Sequence, residues 1–134
     1  MEPGTYTILL ELPRRRSVTF GAAGERTLDP GYYAYTGSAF GPGGLSRVQR
    51  HRELLLGKRD TRHWHIDSLL GLESTEWVDA WRSPHLDREC SIAQSLVGTV
   101  VEGIGATDCS CSGHLVYHSQ KTPLAESIAA AHTP

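Results

Sequence analysis

The chain has 134 residues, with 13 Lys and Arg against 15 Asp and Glu, for a formal net charge of -2. That length suits one domain with a buried core and leaves little room for a second. A composition of 39% hydrophobic and 21% charged residues excludes a disordered tail or a fibre. No apolar run approaches the roughly 18 residues of a membrane span. The opening Met1-Glu2-Pro3-Gly4 has no basic stretch leading into an apolar one, so a cytoplasmic location without a secretory signal is expected.

Thr5 to Leu12 is rich in β-branched and apolar residues and stops at Pro13, which predicts a strand. Ser17 to Gly21 predicts a second, shorter strand, and Arg26 to Leu28 can pair with it across Ala22-Ala23-Gly24. Asp29-Pro30-Gly31 is a turn. Tyr32 to Thr36 predicts an aromatic strand that ends at Gly37. Leu45 to Leu56 predicts a helix closed by Gly57, and Trp64 to Leu70 a second helix. Glu76 to Trp81 predicts a strand, and Pro84 suits the first turn of a third helix reaching about Val97. Gly98 to Gly113 is expected as an irregular loop, and Leu115 to Tyr117 as a short strand. After Pro123 the chain predicts a weak helix or a frayed end. The layout is α+β: a small, mainly antiparallel β-sheet with flanking helices.

Charge is unevenly placed. Residues 1–63 hold ten Lys and Arg against six acids, and residues 64–134 hold three against nine. The densest basic stretch runs from Arg47 to Arg62; such asymmetry points to a surface that faces a polyanion, while charge alone favours a merely solvated helix and loop. The three cysteines, Cys90, Cys109 and Cys111, are an odd count without a signal peptide and so are expected as reduced thiols.

Chemistry can be sought in four places. On the third predicted helix Leu86, Cys90, Ala93, Leu96 and Val97 form an apolar stripe, and Glu89 falls inside it. A carboxylate there must be paired, protonated or bound to metal. On the first helix Arg47 and His51 share a face, with Arg50 close to it and Leu45, Val48 and Leu55 on the buried side. An Arg guanidinium matches phosphate oxygens. Tyr33 and Tyr35 project to one side of their strand and Tyr32 to the other, with Tyr6 on the first strand. Cys109-x-Cys111-x-x-His114 can supply three zinc ligands, with Cys90 or Asp108 as a fourth. His63-x-His65-x-Asp67 is expected as a packing segment or a groove wall, because in a helix those side chains diverge.

The ordered set Gly4-Thr5-Tyr6, Tyr35-Thr36-Gly37-Ser38, Arg47, His51 and Glu89 resembles the GIY-YIG nuclease superfamily. The chain is most similar to the compact GIY-YIG-like family labelled Uri endonucleases, often described as a domain of unknown function. The shared runs are Gly4 to Leu12, Gly31 to Leu45, Arg47 to His51, His63 to Asp67, Glu89-Cys90 and Asp108 to Leu115. The resemblance covers about residues 4–118 of a single domain over 1–134, and it leaves residues 119–134 as a tail. It implies a GIY-YIG-like fold with a hairpin inserted after the first strand.

For function, the resemblance implies a divalent-metal-dependent endonuclease that hydrolyses phosphodiester bonds. Its candidate catalytic residues are Tyr6, Tyr35, Arg47, His51 and Glu89, with Glu89 holding one weakly bound Mg2+ or Mn2+. Tyr6 would take the proton of the attacking water, and His51 would hydrogen-bond a tyrosine or a phosphate. Ser38, Arg50, Lys58, Arg59 and Arg62 are the candidate nucleic-acid contacts, with DNA preferred to RNA as partner and no membrane. A protein partner is a further expectation, because a module of so little net charge should bind nucleic acid weakly alone. Two other readings compete. One is a nucleic-acid-binding module without turnover. The other is an interaction domain stabilised by Zn2+ at Cys90, Cys109, Cys111 and His114.

Overall fold

The computed structural model describes residues 1–59, 65–104 and 113–133. The first strand, β1 (Gly4–Leu12), is buried along almost its whole length. Its run of Ile8, Leu9, Leu10 and Leu12 does not alternate with polar residues, which is the signature of a strand covered on both faces. β1 lies between two antiparallel neighbours, β4 (Gly31–Ala39) and β5 (Glu76–Pro84). The sheet has the order β5-β1-β4-β7-β6, with β6 (Thr99–Val101) and β7 (Leu115–His118) completing it in antiparallel register. β2 (Arg16–Thr19) and β3 (Glu25–Leu28) pair with each other as a separate two-stranded sheet, joined through a 3-10 turn at Gly21–Ala23. The α+β class and the inserted hairpin are therefore both present.

The register sorts side chains onto two faces. Tyr6 opposes Gly37, Ile8 opposes Tyr35 and Leu10 opposes Tyr33, so these share the first face. That face is covered by α1 (Ser46–Leu55), α2 (Ile66–Leu70) and the hairpin, through Val48, Leu54, Ile66, Leu69, Val18 and Phe20. The second face presents Leu9, Ala34 and Val116 to α3 (Glu89–Ser95) and α4 (Lys121–His132).

α1 ends as the sequence predicts. Gly57 has φ 78, and the Lys58 N–H donates to the Glu53 carbonyl at 2.8 Å while the Gly57 N–H reaches Leu54 at 3.1 Å. This is the paired closure of a helix end that a left-handed glycine permits.

Four sequence expectations need correction. Pro84 is the last residue of β5 and does not begin a helix. β5 lies at the edge of the sheet, where a missing N–H costs no ladder bond. The chain then turns through His85, with φ 65, and α3 starts only at Glu89. Leu86 and Val97, 39% and 44% exposed, are outside that helix, so the apolar stripe assigned to it is not formed; Ile92, Ala93 and Leu96 make the buried side. Gly98 to Gly113 is not wholly loop, because β6 lies within it. Finally, residues 121–132 are a docked helix that packs on β4 and β5, with Leu124 and Ile128 fully buried in the second core. Each such side chain contributes roughly 1.5–3 kcal/mol of burial, which is why the segment does not fray. The strands β1, β3, β4 and β7 agree with expectation within a few residues.

Candidate active site

Tyr6 is 1% exposed and its ring lies on the Gly37 backbone across the β1–β4 pair. A Cβ at Gly37 would collide with the Tyr6 hydroxyl and ring, so the Tyr-x-Gly spacing on β4 is a matter of room. Tyr35 projects to the same face, with its ring centroid 6.4 Å from that of Tyr6. α1 packs above them. His51, also 1% exposed, is on the buried side of α1 with Val48 and Leu54. The Tyr6 hydroxyl is 2.7 Å from His51 Nε2. The expected hydrogen bond between His51 and a tyrosine is thus made.

Arg47, one turn before His51, hydrogen-bonds Tyr6 and donates to the Ser38 carbonyl. Ser38 pairs with Thr5 and faces the other side of the sheet, so its contribution here is its carbonyl. Behind His51 stands Asp67 of α2, 2% exposed, with Oδ1 3.6 Å from His51 Nδ1. The carboxylate thus faces the Nδ1 edge of the ring.

Glu89 is the first residue of α3 and is 25% exposed at its side chain. Its Oε2 is 3.5 Å from His114 Nδ1. The segment before it is pinned by Thr5, whose hydroxyl donates to the Leu86 carbonyl at 2.6 Å and accepts the Arg88 N–H at 3.0 Å. Glu89 therefore belongs to the second face by its helix, yet its charge acts on both tyrosines of the first face.

The electrostatics follow from that arrangement. Burial pushes the Tyr6 hydroxyl well above the usual tyrosine range, and Tyr35 and Glu89 add to the rise while Arg47 opposes it. Tyr35 is also raised by burial, then by Glu89, again against Arg47. Burial lowers His51, with Asp67 pulling the other way and Arg47 and Arg50 adding to the lowering. His114 is lowered by burial as well. A phenolate on Tyr6 is thus disfavoured in this buried setting.

Tyr6, Tyr35, Arg47 and His51 are brought together, and Glu89 is within electrostatic reach of the tyrosines. Arg50 is half-buried on α1; Lys58 and Arg59 are exposed beyond its end, with Arg59 paired to Glu53. Arg62, His63 and Trp64 lie outside the described residues, as do Asp108, Cys109 and Cys111. Cys90 corrects the reduced-thiol expectation: it is disulfide-bonded. Its Sγ is 3.5 Å from His114 Nε2. Among the described residues no group of three or more His, Cys, Asp and Glu gathers to hold a metal ion. Among them, too, no helix is long and apolar enough to cross a membrane.

Two features escaped sequence reasoning. Asp67 is the buried carboxylate of an apolar helix, among Ile66, Leu69 and Leu70, a role that the sequence argument gave to Glu89. Arg82 opposes Tyr6 on β5 and, with Arg52, Val48 and Trp77, lines a groove of about 140 Å³ beside α1. Arg52 lies over the Trp77 ring, 6.0 Å from its centroid. Arg82 has no motif neighbours to reveal it, since only the strand register places it beside Tyr6.

Residues 5–134 match the model of a family described as a domain of unknown function, DUF123. No curated protein and no solved structure matches the chain.

Proposed function

We propose that this chain, which belongs to the DUF123 family, is a divalent-metal-dependent endonuclease of the GIY-YIG type that hydrolyses phosphodiester bonds in DNA. The observation that carries the reading is the grouping of Tyr6, Tyr35 and Arg47 with the charge of Glu89 acting on both hydroxyls. A phosphodiester needs a cation for its developing charge and a route for the proton of the attacking water. Arg47 supplies the first. Tyr6 and His51 supply the second: the Tyr6 oxygen takes a proton from water while its own passes to His51 Nε2. The hydroxide so formed attacks phosphorus, the phosphorus–O3′ bond breaks, and the leaving oxygen takes a proton from solvent.

Glu89 fits a single hard cation, being one partly exposed carboxylate rather than a cage. Mg2+ or Mn2+ held there would supply positive charge at the leaving oxygen. Arg50, Lys58, Arg59, Arg52 and Arg82 would meet the phosphates on either side of the cut.

Supercoiled plasmid incubated with Mg2+ or Mn2+ tests the reading. The wild type should nick it and Glu89→Ala should not. Equal nicking by both, or none under any metal and salt condition, overturns it.

One observation favours a second reading, a nucleic-acid-binding module without turnover: Tyr6 and His51 are each only 1% exposed, which also suits a purely structural polar pair. That reading expects salt-dependent DNA binding and no nicking.

A further inference from the structure

We propose that Asp67 is a positioning residue that sets the tautomer of His51, so that Nε2 is free of hydrogen and accepts the Tyr6 proton. The role in turnover rests on the nuclease reading above; the tautomer does not. A guanidinium only donates, so Arg47 donates to the Tyr6 oxygen. The Tyr6 proton then points at His51 Nε2, 2.7 Å away, and that nitrogen must carry a lone pair. A neutral imidazole with a bare Nε2 carries its hydrogen on Nδ1, which faces the Asp67 carboxylate at 3.6 Å. The opposite tautomer would turn a lone pair toward a carboxylate and direct two donors at the Tyr6 oxygen.

Three elements thus hold one line, with Tyr6 on β1, His51 on α1 and Asp67 on α2. When His51 takes the proton, the imidazolium that forms faces Asp67. The carboxylate orients the ring and stabilises the charge. Catalytic contacts of this kind are often long before substrate binds and shorten afterwards. The 3.6 Å gap is in keeping with that.

The test uses the full chain and does not begin with activity. Nitrogen-15 long-range correlation spectra report the His51 tautomer directly. The wild type should show hydrogen on Nδ1, and Asp67→Asn, whose amide can donate to Nδ1, should move it to Nε2. Hydrogen on Nε2 in the wild type overturns the proposal without any variant, so a poorly folded variant does not protect it. A tautomer unchanged in folded Asp67→Asn also overturns it. In the plasmid assay Asp67→Asn should lower kcat by about 10⁴-fold, the scale known for a mis-set tautomer, with KM nearly unchanged. A loss confined to KM counts against the proposal. If the wild type shows the expected tautomer yet never nicks, the positioning stands and the nuclease reading falls.

Discussion

The Tyr6 ring rests on the backbone of Gly37, its partner across β1 and β4. Gly37 is not among the glycines with positive φ, so its backbone suits any residue and the constraint is purely steric. Gly37→Ala should therefore displace the Tyr6 ring and cost about 1–3 kcal/mol, the usual range for overpacking. Urea denaturation measures the loss. Stability equal to wild type would show that the ring does not need this bare surface.

The C-terminal helix is part of the second core, with Ile128 fully buried beside Leu9 and Ala34. Ile128→Ala removes buried methyl groups and leaves a cavity, at a cost of about 2–5 kcal/mol. Thermal or urea unfolding of the full chain checks it. A cost below 1 kcal/mol would restore residues 121–132 to the status of a tail.

Thr5→Val keeps the shape of the side chain and removes both contacts to the segment before α3. The Leu86 carbonyl and the Arg88 N–H lose a partner, and about 1–3 kcal/mol of stability should go with it. Because that segment leads into Glu89, nicking in Mg2+ should fall further than the fraction of folded protein does. The comparison is of specific activity after correction for folding by circular dichroism.

Stability should depend on pH through His132. Its ring is held between the Thr7 and Ser83 hydroxyls, and burial with the nearby Arg88 charge lowers its pKa to about 4 from 6.5. Between those values the unfolded chain binds a proton that the folded chain refuses, so folding stability rises with pH across the interval. It is complete above pH 6.5 and is lost as the pH falls toward 4. His51 and His114, also lowered by burial, add the same sign. His132→Gln should flatten the slope of urea midpoint against pH without abolishing it. An unchanged slope would assign the effect to the other two histidines.

Much of this fold was legible because its signals are local. The β-branched run of β1, the glycine that ends α1 and the aromatic run of β4 each depend on neighbours in sequence. Tyr6, Tyr35, Arg47 and His51 were legible as an ordered set and are neighbours in space. What failed was long-range. The start of α3 is set by a threonine 83 residues earlier, and no periodicity within residues 84–97 can report that. Pro84 reads as a helix start until the sheet edge that tolerates it is known. The carboxylate buried in an apolar helix is Asp67 rather than Glu89. At Asp67 the helical residues Ile66, Leu69 and Leu70 are buried around it, whereas Glu89 opens its helix with a quarter of its side chain exposed.

The group of residues straddles the sheet, with Tyr6, Arg47 and His51 on one side and Glu89 carried by a helix of the other. Neither layer holds the full set alone. A chain still emerging from the ribosome has β1 and α1 long before β7 and α4 exist to complete the second layer. Such a partly assembled molecule would have the Tyr6–His51 hydrogen bond before the layer that carries Glu89 is complete. Only the complete chain therefore has both in place.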